Sequence, residues 1–322
     1  MRFRARVDRC RHLLLLLLFA ACARAADTAG TADSAARPSA GSTSASANDA
    51  TPADTDDFGV PLPRDARFAA RVVSLNPTAT EVIFAIGAQS RLVGRSRWDE
   101  YPDDVQSIVP LGDGIKPNVE AVLGVRPTLV ILYATAENRA AAEALRRAGV
   151  RVIALRVDHI AQFMQLCTRL GVALNAADRA QVVADSVQRT LDRVRDAMRG
   201  VTPVPVVWPL WQSPVMVVGA GSYLDELLEI AGGRNVFHDM SAPSPPVSIE
   251  EIAKRDPAVV IASRQSAAAL RASSIWSAVA AVRANRIVID DPAITGRPSV
   301  VLGMAAVSLA RALHPERAGA LR

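Results

Sequence analysis

One stretch occurs twice in this sequence and limits what the chain can fold into. Asn118-Val119-Glu120-Ala121-Val122-Leu123-Gly124-Val125-Arg126-Pro127 runs into the apolar segment 128–132. Ser248-Ile249-Glu250-Glu251-Ile252-Ala253-Lys254-Arg255-Asp256-Pro257 runs into 258–261. Asn118 and Ser248 are good N-caps, since their side-chain oxygens accept from amides that the first helical turn leaves unpaired. Val119, Val122 and Leu123 match Ile249, Ile252 and Ala253 at the i, i+3, i+4 spacing that buries one helix face. Pro127 and Pro257 stop the helices and leave the next segment extended. Glu120 and Glu250 fall beside the apolar stripe, free to point outward.

The neighbours repeat as well. The segment 80–87, closed by Gly87, resembles 225–232, closed by Gly232, and Arg151-Val152-Ile153-Ala154 has a counterpart in Arg286-Ile287-Val288-Ile289. Strand and helix alternate in both halves, the pattern of parallel sheets. The expected fold is α/β, with two lobes of mostly parallel sheet.

The N-terminus reads as an export signal. Five arginines precede an apolar run of about nine residues, against roughly 20 needed to span a bilayer, so residues 1–22 are expected to be a signal peptide. Phe19-Ala20-Ala21-Cys22 resembles a bacterial lipobox, which makes Cys22 the expected lipidation site; cleavage after Ala23-Arg24-Ala25 is the alternative. The chain carries a net charge of +5, but residues 1–21 hold five arginines and one aspartate, leaving the remainder close to +1. The basic balance is therefore no argument for nucleic acid. With Cys10 and Cys22 gone, Cys167 stands alone, so no intrachain disulfide is expected and the thiol is read as packing. Residues 23–67, rich in Ala, Ser and Thr without a hydrophobic period, are expected to form a disordered tether.

The N-terminal lobe is placed at 68–157, a helical connection at 158–200 and the C-terminal lobe at 201–322. In the first lobe, Thr78 and Glu81 have capping-box spacing, and the loop 95–102 puts Trp98 and Tyr101 after a strand, the usual ligand side of an open α/β sheet. Tyr133 ends another strand. In the connection, Val183, Val187, Leu191, Val194 and Met198 keep a helical period, and a helix capped by Asn175 would run about 23 residues, or roughly 35 Å. As the only crossing between the repeats, it would restrict relative lobe motion. In the second lobe, Trp208, Trp211 and Tyr223 lie near strand ends. Residues 275–282 are expected to be helical, and the last helix is expected to begin with Pro298 in its first turn.

Catalytic patterns do not assemble. His12, His159, His238 and His314 are scattered without zinc spacing, and neither G-x-S-x-G nor a phosphate-binding glycine motif occurs. No catalytic residue, resident metal or cofactor is expected. Aromatics make up only 4% of the chain, yet six of them collect near strand ends. Large amphipathic rings at a cleft mouth suit a bulky planar or chelate ligand, and Arg297 would offer charge to an acidic group.

These residues carry a resemblance. The strand 71–75 with Pro77 and Thr80-Glu81, the stretch from Asn118 to Pro127, Gly232-Gly233-Arg234-Asn235-Val236-Phe237 and Val247-Ser248-Ile249-Glu250 look like the periplasmic binding proteins of iron-siderophore, haem and cobalamin ABC importers. The resemblance implies two Rossmann-like lobes joined by one long rigid helix, a ligand cleft between them, and a monomer exported to the cell envelope. It implies binding by Trp98, Tyr101, Tyr133, Trp208, Trp211, Tyr223, Ser244 and Arg297, with docking of Glu120 and Glu250 onto permease arginines. The partners implied are a corrinoid or ferric-chelate ligand, whose cobalt or iron is cargo, and the permease with its ATPase. Cobalamin-binding members look most similar, with Trp98 at the position of a ring-contacting tyrosine. Two tryptophans of those members are absent, one within 111–114 and one at Ser244. For a haem cargo, Tyr101, Tyr133 and His238 are the candidate iron ligands; for a siderophore, Arg95, Arg97, Arg297 and Trp211 are the candidate contacts. A lipid-anchored enzyme on a Rossmann-like scaffold is the rival of a different class.

Overall fold

The computed structural model describes residues 54–65 and 69–321. The expected signal, Cys22 and most of the expected tether lie outside the described residues. The first lobe is built from β1 (Val72–Leu75), α1 (Pro77–Ala85), β2 (Leu92–Arg95), α2 (Val119–Gly124), β3 (Leu129–Tyr133), α3 (Ala136–Arg147) and β4 (Arg151–Leu155). Two helices follow, α4 (Ile160–Ala173) and α5 (Ala177–Ala197). The second lobe has β5 (Val204–Val207), β6 (Pro209–Gln212), β7 (Val215–Val217), α6 (Tyr223–Ile230), β8 (Gly233–Asn235), α7 (Ile249–Lys254), β9 (Val259–Ser263), α8 (Arg264–Ala272), α9 (Ala280–Arg283) and β10 (Ile287–Asp290). The helices α10 (Pro292–Thr295) and α11 (Leu302–Leu313) complete it.

The two main sheets are parallel and share one topology. The first has the order β2-β1-β3-β4; the second, taken from its other edge, has β8-β5-β9-β10. In each of these sheets the first strand in chain order lies second, flanked by that sheet's second and third. The sequence repeat is thus a structural repeat. Asn118 caps α2 through the Ala121 amide at 2.9 Å and Ser248 caps α7 through the Glu251 amide at 3.1 Å. The residues before the two prolines, Arg126 and Asp256, both turn left-handed, with φ of 48° and 44°.

Strands in parallel sheets are covered on both faces, so both alternations along them are apolar. Val73, Leu75, Val130 and Leu132 pack with Leu145 of α3 on one side; Val72, Leu129, Ile131 and Ile153 face the other. That second face is continuous through α4, α5 and α11 with Val206 and Ile261 of the far lobe, giving one apolar cluster across both halves. The connecting helix α5 touches α1 and α4 on one side and α6 and α11 on the other.

Several expectations are corrected. Residues 54–65, given to the tether on composition, fold onto β4, the edge strand of the first sheet. The buried Asp56 accepts from the Ala154 amide at 3.0 Å and from Arg146 at 3.1 Å, while the Asp57 amide donates to the Ala154 carbonyl at 2.9 Å. A ladder edge with unpaired groups gains from such a cover. Asn175 does not cap α5; it follows α4 with φ of 50°, a left-handed position that asparagine tolerates. The antiparallel pair β6 and β7 and the helix α8 are additional elements, and 275–282 holds a short 3₁₀ turn before α9 rather than one helix. Pro298 is not in the first turn of α11, which starts at Leu302; residues 296–301 instead run against the opposite lobe.

Candidate functional site

In a parallel βα unit each helix begins where its preceding strand ends, so helix starts and strand ends gather on one rim of the sheet. Between the two rims lies a cavity of about 690 Å³. Its first wall carries Asn76 and Thr78 after β1, Trp98 after β2, and Tyr133 at the end of β3. Its second carries Trp208, Leu210, Tyr223, Ser244, Asp290 and Arg297.

Six of the eight expected ligand residues therefore meet at this cavity: Trp98, Tyr133, Trp208, Tyr223, Ser244 and Arg297. Trp98 is the accessible ring among them, 52% exposed, with the Arg97 guanidinium 5.1 Å from its centroid. Trp208 is buried. Tyr101 and Trp211 are exposed but do not line the cavity. Trp211 sits on the β6–β7 hairpin, where its indole donates to the Ser213 carbonyl at 3.1 Å.

Polar groups at the walls are largely engaged by the protein itself. The Tyr133 hydroxyl donates to Asp158, and burial first, then that carboxylate, push the phenol far above its ordinary range. The Tyr223 hydroxyl donates to the Thr295 carbonyl, and burial raises it likewise. Arg297 does not stand free for an acidic ligand. Its Nε lies 2.6 Å from Glu81 Oε1, Nη2 bonds the same oxygen, and Glu81 is 2% exposed. Glu81 is accordingly no capping residue. Asn76 caps α1 through the Ala79 amide at 3.3 Å, and Glu81 reaches across the cleft instead. The Thr78 hydroxyl donates to the Pro298 carbonyl at 2.7 Å, so two adjacent bonds latch α1 to the far lobe.

The reading of strand ends missed Asp113, Asn138, Asp158 and Asp290. Asp113 and Asn138 follow from the rim rule, since one precedes α2 and the other lies in the first turn of α3. Asp290 ends the last strand of its sheet, so the same rule would have found it. Among the candidate siderophore contacts, Arg95 is buried, bonding the Ile108 carbonyl and Gln106. Of the candidate iron ligands, His238 bonds Asp225 at 2.8 Å and lies off the cavity.

The two signature glutamates, Glu120 and Glu250, are exposed, each in the first turn of its helix. Cys167 is buried in the α4 core, where burial pushes the thiol up to about 12, an inert packing group. Among the described residues no cluster of three metal-ligating side chains occurs, and no helix is long and apolar enough to cross a membrane.

The sequence profile described as "periplasmic binding protein" matches residues 72–294. The vitamin B12-binding protein of Yersinia pestis (strain Pestoides F) is 24% identical over 211 residues, covering 66% of this chain and 75% of that protein. The structure is similar to the periplasmic vitamin B12 binding protein BtuF of Vibrio cholerae, with a TM-score of 0.68 and 22% identity over 77% of this chain and 97% of the other. It is equally similar to the periplasmic haem-binding protein RhuT from Roseiflexus sp. RS-1, with a TM-score of 0.69 and 25% identity over 79% of this chain and 100% of the other.

Proposed function

This chain belongs to the periplasmic binding protein family, and from that membership we propose that it is the substrate-binding component of an ABC importer. It captures a cobalamin-type corrinoid or a ferric chelate between its lobes and passes the ligand to the permease. The observation that carries the reading is the interlobe cavity of about 690 Å³ with Trp98 at its mouth. That size lies within the usual range for bound small molecules, and a half-exposed indole offers a flat face to a macrocycle. The latches Glu81–Arg297 and Thr78–Pro298, with α5 packed against both lobes, fit a molecule that closes only modestly on its ligand.

Delivery is assigned to Glu120 and Glu250, which project from equivalent helices of the repeated unit toward arginines of the permease. A carboxylate in a helix's first turn gains only about 0.3–1 kcal/mol from the dipole, and both side chains lie open to solvent. Lipidation of Cys22 would hold the domain at the membrane through the segment that follows it.

Two experiments test the proposal. Absorbance titration of the purified protein with cyanocobalamin, haemin and a ferric hydroxamate should give saturable binding of at least one; binding of none would end the reading. The double variant E120R/E250R should lose transport of that ligand while keeping its affinity. Intact transport would remove the docking role.

A further inference from the structure

The charged groups of the cavity are unevenly disposed. Three carboxylates line it, those of Asp113, Asp158 and Asp290, against one guanidinium, that of Arg297. Arg297 is committed to Glu81, a buried acid outside the cavity wall. Asp113 is matched at the rim by Arg97 at 3.1 Å and by the amides of Ile115 and Lys116. Asp158 has the Tyr133 hydroxyl and, at 3.8 Å, Arg156, and its side chain stays 40% exposed. Asp290 receives the Thr295 hydroxyl, at 2.8 and 2.7 Å from its two oxygens, and the Asp291 backbone, and among the described residues no cation pairs with it.

The helix starts at the cavity are partly capped. Helix starts on a cleft rim attract anions through their free amides. Here α1 is capped by Asn76, α3 by Thr135 at 3.3 Å and α10 by Asp291 at 3.0 Å, while the first amide of α6, from Tyr223, goes to the Asp158 carbonyl at 2.8 Å. Asn138 adds a further acceptor. Its Nδ2 donates to the carbonyls of Gly114 and Tyr133, which fixes the amide's orientation and leaves Oδ1 buried without a partner. The cavity wall thus carries net negative charge, and the side-chain donors it leaves open are neutral hydroxyls such as those of Ser244 and Ser266.

We propose that this cleft selects a chelate whose periphery bears hydrogen-bond donors and rejects one that bears carboxylates, with Asp158 and Asp290 as the residues that enforce the choice. The inference rests on the functional reading above and deepens it. A carboxylate brought beside Asp158 and Asp290 meets like charge in a partly desolvated cleft, offset only by Arg156 at 3.8 Å from Asp158, whereas an amide N–H there makes a charge-assisted bond. A neutral, amide-bearing corrinoid fits these walls. A haem fits them poorly, since its propionates find no free cation. Nor does its iron find a phenolate, because Tyr133 holds its proton against Asp158.

The test compares two ligands with one ring: dicyanocobinamide, whose peripheral groups are amides, and dicyanocobyrinic acid, in which they are carboxylates. The wild-type chain should bind the amide form at least about tenfold more tightly at low salt, and the preference should shrink as salt is added. D158N and D290N should each narrow the ratio by strengthening binding of the acid. E81Q, which releases Arg297, should do so by a separate route, and melting curves check that each variant is folded. Equal or tighter binding of the carboxylate form by the wild type overturns the selection while leaving the functional reading intact, as does an unchanged ratio in folded variants. Failure to bind either corrinoid removes the corrinoid selection; whether the broader importer reading also falls is then decided by the haemin and hydroxamate titrations.

Discussion

Asp99 is 1% exposed and holds the turn that carries Trp98: its Oδ2 accepts the Ser96 amide at 2.6 Å, and its Oδ1 is buried without a partner. Burial dominates over the Ser96 amide and raises the carboxyl from 3.8 to about 6. A carboxyl that binds its proton more tightly when folded stabilises the protein below its unfolded pKa, and that contribution is lost as pH rises through the folded value. Wild-type protein should therefore lose up to about 3 kcal/mol relative to D99N between pH 4 and pH 7. Denaturant melts of both proteins across that range measure it, and a constant difference would contradict the assignment. At this scale the sequence is a partial guide. Residue spacing makes Thr78 and Glu81 a plausible capping box, but the partner that wins Glu81 is Arg297, more than two hundred positions away, and no local pattern encodes that. Trp98 and Trp211 both follow strand signals. Trp98 lines the cavity, whereas Trp211 lies on the β6–β7 hairpin outside it.

The helix α5 is the element on which both lobes rest. Leu191 and Val194 are fully buried, and Gly303 of α11 approaches so closely that a Cβ there would lie 2.7 Å from Thr190. Leu191→Ala should cost about 2–4 kcal/mol, and Gly303→Ala about 1–3 kcal/mol through forced separation of the helices. Because one apolar cluster spans both lobes, calorimetry should show a single transition that moves down in each variant. Two resolved transitions would mean the lobes are independent. The long amphipathic period made α5 legible in sequence. By contrast, α8 is short, with only Ala267 and Leu270 buried, too little apolar signal to distinguish it from a loop. The start of α11 was misplaced because Pro298 favours a helical first turn locally, whereas its carbonyl is taken by Thr78 of the other lobe.

For the whole molecule, the repeated helix-strand stretch proved the most informative feature. Two copies of one βα unit imply two sheets of the same strand order, and a parallel sheet gathers its strand ends on one rim. Where the rims face each other, and which side chains then meet, depends on packing through α5 and on the 296–301 crossing, so the site was legible in outline and its acidic groups were not. The most direct test of a ligand site between the rims is to titrate wild type, W98A and W211A with whichever chelate the wild type binds. W98A should weaken binding by about tenfold or more, while W211A, altered at a still more exposed tryptophan off the cavity, should leave it unchanged. Loss of binding in W211A with none in W98A would place the ligand elsewhere and contradict the account.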